Sequence, residues 1–199
     1  MKKIYVVGDS ISIHYGPYLE NYLKDFAFYS RKEDKDDPEL GANGGDSSAV
    51  LRFLEQKLNS GGIDADIILI NCGLHDIKTD PATGKKQVPP EQYRKNLYEI
   101  LSVIRKLKAM PVWIRTTPCD ERIHNREGIS FYRFSSDVKE YNGIADEIMQ
   151  KNNVPVIDLY TFTLNSGKDL YCDHVHFNEH IREKQAAFIA GWLCGFITR

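Results

Sequence analysis

Short apolar runs alternate with stretches whose apolar residues recur every three to four positions, and that alternation lays out most of the chain. Ile4 to Val7 reads as a buried strand. Tyr15, Leu19, Tyr22, Leu23 and Phe26 then mark a helix, with Pro17 expected in its first turn, where the missing N–H is harmless. Phe26 to Tyr29 is read as a short second strand, and Arg31 to Pro38, charged and nearly free of apolar residues, as a solvated loop. Asp46-Ser47-Ser48 supplies N-cap side chains ahead of Val50, Leu51, Leu54 and Leu58, and Gly61-Gly62 closes that helix. A strand follows over Asp66 to Asn71.

Pro89-Pro90 opens a helix carrying Tyr93, Leu97, Ile100, Leu101, Ile104 and Leu107, and Val112 to Thr116 is the next strand. Phe134, Val138, Tyr141, Ile144 and Ile148 form another amphipathic face. Val154 to Leu159 is a further strand, and Ile181, Phe188, Ile189, Trp192, Leu193 and Phe196 belong to a terminal helix. Strand and helix in alternation imply right-handed crossovers and a parallel sheet of about five strands covered on both faces, an α/β fold of three layers. Functional residues are then expected at the carboxyl ends of the strands. No repeat, low-complexity tract or linker divides the chain, so residues 1–199 are expected to form one domain.

Composition narrows the classes of function. A formal charge of −2 and 27% charged residues leave no basic excess for a phosphate backbone, so nucleic acid is not an expected partner. The apolar runs are far shorter than the roughly 20 residues of a membrane span. Lys2-Lys3 and four apolar residues are followed by Gly8-Asp9 rather than a small-residue cleavage site, which points to a cytoplasmic protein. The cysteines Cys72, Cys119, Cys172 and Cys194 form no Cys-x-x-Cys pair and read as free thiols, Cys172 standing out for its neighbours.

The chemistry begins at Gly8-Asp9-Ser10-Ile11, where a serine hydroxyl stands at the end of the first buried strand. Gly-Asp-Ser is also ordinary turn composition. A nucleophilic serine needs a base and a group that orients the base. Tyr171-Cys172-Asp173-His174-Val175-His176-Phe177 supplies an Asp and a His three apart. Donors for an oxyanion are available from backbone amides at Gly44-Gly45 and from a side chain of Gly73-Leu74-His75-Asp76.

These segments resemble the SGNH hydrolases, also called the GDSL family. Gly8-Asp9-Ser10-Ile11 matches the first block, Gly45-Asp46-Ser47 the second, Gly73-Leu74-His75-Asp76 the third and Asp173-His174-Val175-His176 the fifth, in order and over nearly the whole chain. The resemblance implies a flavodoxin-like sheet and a serine hydrolase acting on carboxylic esters. It implies Ser10 as nucleophile, His176 as general base and then acid, Asp173 as orienter, and the amides of Ser10 and Gly45 as oxyanion donors, with Gly41 and Gly44 as alternative glycines. One position departs: the family's third block reads Gly-x-Asn-Asp, and position 75 is His. A neutral imidazole keeps one N–H and is expected to replace the Asn as donor.

The expected substrate is a small acyl ester, an O-acetyl group on carbohydrate, with a lysophospholipid or thioester as the alternative; no cofactor or metal is implied. Asp9 is expected to tie down its turn and stands with Tyr15, Arg122 and Tyr132 as a candidate substrate contact. Tyr15 and Tyr18 fit core or rim as well as a sugar-stacking platform. Arg122 and Tyr132 lie in the segment from Pro118 to Arg133, which is either a pocket wall or a solvated loop. His14 is read as a structural or surface histidine and His174 as an ordinary loop residue. Two other classes remain: a metal-dependent phosphohydrolase built on His75, Asp76, Asp173, His174 and His176, and a silent carbohydrate-binding module that keeps the fold.

Overall fold

A computed structural model describes residues 1–198. In chain order its elements are β1 (Lys2–Val7), α1 (Ser10–Leu23), β2 (Ala27–Arg31), α2 (Ser47–Asn59), β3 (Ile67–Ile70), α3 (Pro90–Lys106), β4 (Met110–Ile114), α4 (Glu121–His124), α5 (Ser135–Lys151), β5 (Val156–Ile157), α6 (Leu159–Leu164) and α7 (Glu179–Ile197). The five strands make one parallel sheet in the order β2-β1-β3-β4-β5, with Ile4 paired to Tyr29 on one side and Ile67 on the other. Helix α1 packs on α7, while α3 packs on both α2 and α5. Helices on both faces explain why Ile4–Val7 and Ile67–Ile70 are apolar without alternation, and each of those residues is buried.

The sheet sets the place of the site. Strand order reverses at β1, which lies between β2 and β3, so the loops leaving β1 and β3 part to opposite sides and open a crevice at the carboxyl edge. Ser10 follows β1 and His75 follows β3, so both stand on that rim.

Three sequence readings change in the folded chain. Helix α1 begins at Ser10, so Pro17 lies in its interior rather than its first turn, and the Ile13 carbonyl loses the N–H it would otherwise receive. The strand expected over Val154 to Leu159 shrinks to Val156–Ile157, because Asp158 caps α6 by accepting from the Thr161 amide. The segment Arg31 to Pro38 is not merely solvated. Lys32 is fully buried, its ammonium donating to the carbonyl of Gly41, to that of Asn43 at 2.6 Å and to Asp37 Oδ2 at 3.3 Å. Composition marks that stretch as charged; it cannot show that one of its lysines points inward.

Candidate active site

Ser10 is the first residue of α1, and Asp9 is the N-cap, its carboxylate accepting from the Ile11 amide at 3.0 Å. At this first helical position the Ser10 N–H has no partner in the helix and is free to donate outward. Ser10 Oγ lies 2.8 Å from His176 Nε2, and His176 Nδ1 lies 2.7 Å from Asp173 Oδ2. The other carboxylate oxygen of Asp173 accepts from the amides of Val175 and His176 at 2.8 and 2.7 Å. Cys172 N–H closes the loop on the His176 carbonyl at 2.9 Å. Burial pushes the Asp173 carboxyl up, but the two amides and the imidazole outweigh it and hold the group well below the usual carboxylate range. An ionised Asp173 keeps the proton on His176 Nδ1. Nε2 is then the acceptor for the Ser10 hydroxyl, and the arrangement can take a proton from serine and return it.

The opposite side of Ser10 is built from backbone. Gly44 N–H donates to the Gly8 carbonyl at 2.9 Å and Gly41 N–H to the Asp37 carbonyl at 2.8 Å, so both are held by main chain. Gly45 N–H donates at 2.8 Å to the Asn43 side-chain oxygen, which a rotamer change can withdraw. Of the three glycines, Gly45 is therefore the one whose donor can be released to an oxyanion. Its φ of +71° is the left-handed region that favours glycine, and a Cβ there would also press on Leu40 and Ala49.

His75 presents a ring that makes no hydrogen bond to the protein. Burial first, then the charges of Lys78 and Arg133, push its imidazole down to about 3, leaving it neutral with one N–H to offer. The loop that carries it comes close to the end of β4: Gly73 has a φ of +150°, and a Cβ would lie 2.4 Å from Thr116 Oγ1. Asp76 ties this loop to α2, accepting from the Ser47 amide at 2.9 Å and from the Ser47 hydroxyl. Burial pushes its carboxyl up to about 7 despite those donors.

Ser10, Asp173 and His176 are thus brought together, and His75 and Gly45 lie on loops at the same rim. The substrate contacts expected from sequence fare worse. Asp9 and Tyr15 are 2% and 1% exposed, Asp9 held by the helix it caps and Tyr15 on the core face of α1, so neither can touch a substrate. Arg122 extends into solvent and pairs with Asp120 at 2.7 Å; the groove it lines with Pro118, Cys119, Glu121 and Tyr171 contains none of the residues around Ser10. Tyr132 is half-buried and fixed by its backbone to Thr79.

The histidines are more engaged than their sequence positions suggest. His14 packs its ring on His176, centroids 4.5 Å apart. His174 is no ordinary loop residue: its Nδ1 meets Nδ1 of the buried His124 at 2.6 Å, joining the 171–177 loop to α4. The five residues of the metal alternative do not converge. Asp76 faces Ser47, His174 faces His124 and Asp173 faces His176, and among the described residues no group of three or more His, Cys, Asp or Glu is placed to hold an ion. Sequence reading missed Asn43 and Lys32, which carry no motif, and placed His124 only in the segment from Pro118 to Arg133, without its partner His174; all three depend on partners set by the fold.

Comparison with known proteins agrees with this geometry. The GDSL-like lipase/acylhydrolase family profile matches residues 6–182. A lipase/acylhydrolase from Enterococcus faecalis is similar over 98% of this chain and 96% of its own, at 21% identity and a TM-score of 0.75. An acetyl xylan esterase is similar over 96% of this chain and 99% of its own, at 18% identity and a TM-score of 0.72. A psychrotrophic esterase, EstA from Pseudoalteromonas sp., covers 100% of both chains at 14% identity and a TM-score of 0.70. At these identities the likeness is one of fold. No curated protein matches the chain in sequence.

Proposed function

The chain belongs to the GDSL-like lipase/acylhydrolase family, whose members hydrolyse esters, and from that premise we propose that it cleaves short acyl esters, O-acetyl groups on carbohydrate, through an acyl-serine intermediate. Ser10 Oγ attacks the ester carbonyl as His176 Nε2 takes its proton. The carbonyl electrons move to oxygen, and the resulting oxyanion is met by the amides of Ser10 and Gly45 and the N–H of His75. As the tetrahedral species collapses, the bond to the leaving oxygen breaks and His176 protonates that oxygen, releasing the alcohol. Water then attacks the acyl-serine with His176 again as base. Collapse of the second intermediate frees the carboxylic acid and restores Ser10.

One observation carries the reading: the unbroken relay from Ser10 Oγ to His176 at 2.8 Å and from His176 to Asp173 at 2.7 Å. The preference for a short acyl chain and a hydroxylated alcohol is supported by the imidazoles of His14 and His174 on either side of His176, and by the likeness in fold to an acetyl xylan esterase. A fluorophosphonate probe is expected to label Ser10 and no other residue, and Ser10→Ala to abolish both labelling and turnover. Release of p-nitrophenol from the acetate ester is expected to exceed that from the octanoate ester. An unlabelled wild-type protein that hydrolyses neither ester rejects the proposal.

A further inference from the structure

The buried Lys32 and the half-buried Arg115 both meet oxygen acceptors. Lys32 has three oxygen acceptors, and Arg115 reaches Asp158 at 2.8 Å and Asp146 at 3.1 Å. Arg133 and Lys78 differ. Arg133 is 4% exposed, and among the described residues its only side-chain hydrogen bond runs from Nε to the Leu74 carbonyl at 2.7 Å. Among the described residues the half-buried Lys78 makes neither a side-chain hydrogen bond nor an ion pair, and no carboxylate oxygen lies within 4.0 Å of either cation.

The backbone forces the two together. Thr79 and Tyr132 exchange both N–H···O bonds at 2.8 Å in an antiparallel bridge, which sets Lys78 opposite Arg133. Lys78 Nζ and Arg133 Cζ lie 4.8 and 4.9 Å from the centroid of the same ring, Phe131. Asn125 holds this register by clamping the Arg133 amide and carbonyl, each at 2.8 Å. Like charges set opposite each other in a β-pair are destabilising, and a cation withdrawn from water without a counter-charge is more so. The face of Phe131 and the more distant carboxylates of Asp9 and Asp46 offset these effects only in part, and burial still disfavours both charges.

Their position relates them to the site. Leu74, which receives Arg133 Nε, precedes His75, and the Lys78 amide donates to the His75 carbonyl at 3.3 Å. The pair therefore flanks the residue placed to donate to the oxyanion. Its field also reaches the neighbours of Ser10 and His176: after burial, the Arg133 charge bears on Asp9, on His124 and on His174.

We propose that Arg133 and Lys78 form an anion subsite beside Ser10 and that the ester taken by this site carries a carboxylate. With Nε engaged by Leu74, the two Nη groups remain as a planar pair matched to a two-oxygen anion, and Lys78 adds a compact charge beside them. The proposal rests on the hydrolase reading above and specifies its substrate as an acidic saccharide ester or a hemiester.

Two matched pairs of esters test it: O-acetylated methyl glucuronoside against O-acetylated methyl glucoside, which places the carboxylate on the alcohol side, and p-nitrophenyl hydrogen succinate against p-nitrophenyl butyrate, which places it on the acyl side. The acidic member of at least one pair is expected to show about tenfold higher kcat/KM, a preference that falls with rising salt and drops about tenfold in Lys78→Gln. Arg133→Lys, which keeps a charge but loses the planar fork, is expected to lower the same ratio while remaining folded. A wild-type ratio near one in both pairs overturns the subsite and leaves the hydrolase reading standing. So does a ratio that Lys78→Gln does not change. If none of the four esters is hydrolysed, yet calorimetry shows glucuronate bound by wild type and not by Lys78→Gln, the hydrolase reading fails and the subsite holds. Absence of both hydrolysis and binding overturns both.

Discussion

The relay of Ser10, His176 and Asp173 and the donor cluster that faces it are held in place by different means. The relay is local at each end: Asp9 caps the helix that starts at Ser10, and Asp173 gathers two amides and an imidazole from within three residues of itself. The donor cluster is assembled from afar. Lys32 anchors the carbonyls of Gly41 and Asn43 from within the core, Asp76 ties the His75 loop to α2, and Asn96 reaches Ser47 Oγ at 2.8 Å from α3. A local motif tolerates drift elsewhere in the fold, because its partners travel together. A donor cluster spread over four segments can be shifted by any one of them, and buried polar ties are what resist the shift.

The contrast yields four tests. Asp173→Asn is expected to reduce kcat by about 10³- to 10⁴-fold with the fold intact, because His176 loses the partner that fixes its tautomer; a loss under tenfold in steady-state kinetics means that the relay does not work through Asp173. Lys32→Met keeps an unbranched apolar stem but removes the ammonium from over Phe53 and leaves two carbonyls and Asp37 Oδ2 without their donor, and urea unfolding is expected to show a loss of about 2–4 kcal/mol. A loss under about 0.5 kcal/mol would show that water replaces the ammonium and that the loop is not anchored from the core.

His75→Ala is expected to lower kcat about 100-fold, and His75→Asn, which restores an N–H donor, to recover most of it. A His75→Ala variant within about twofold of wild type removes His75 from the oxyanion hole. Because its imidazole is already neutral above about pH 4, no limb of the pH–rate profile between pH 5 and 9 is expected to disappear in His75→Asn.

The last effect is one of pH dependence and concerns Asp76. Its carboxyl titrates at about 7 in the fold, against roughly 4 in an unfolded chain. The stability it contributes as a protonated group is fully present below about pH 4 and is lost as pH rises through 7. Measured against Asp76→Asn, wild-type stability is therefore expected to fall across pH 4 to 7 and level off above 8. A difference independent of pH would mean that Asp76 is ionised throughout and that its ties to Ser47 are those of a carboxylate.

The relay residues were legible because each sits in a short ordered segment with its partner or its helix cap in view. Gly45 was legible only as one of three glycines, and the structure separates it by showing that its N–H alone is held by a side chain. Asp9 and Tyr15 were misjudged as substrate contacts because proximity to Ser10 in sequence does not tell which face of a helix a residue takes, although the three- and four-residue spacing of Tyr15 with Leu19 and Leu23 already placed it among core positions. Arg122 was chosen for its charge and its loop. Arg133, eleven positions on in the same segment, is the one turned inward, a difference that depends on the bridge to Thr79.

By itself the sequence indicated the parallel sheet, the order of its five long helices, the rim where Ser10 stands and the residues that form the hydrogen-bonded relay, because periodicity and short motifs act over distances the chain spans within a few residues. Only the tertiary structure decided that Lys32 is buried, that Asn43 holds the Gly45 amide, that His174 pairs with His124 and that Lys78 lies opposite Arg133 with no ion-pair partner for either among the described residues. Lys32, the His pair and the two cations act through partners set by non-local pairing, and Asn43, though only two residues from Gly45, through the folded turn that orients both. Charge or polarity at one position reveals nothing of the group that stands opposite it until the fold brings the two together.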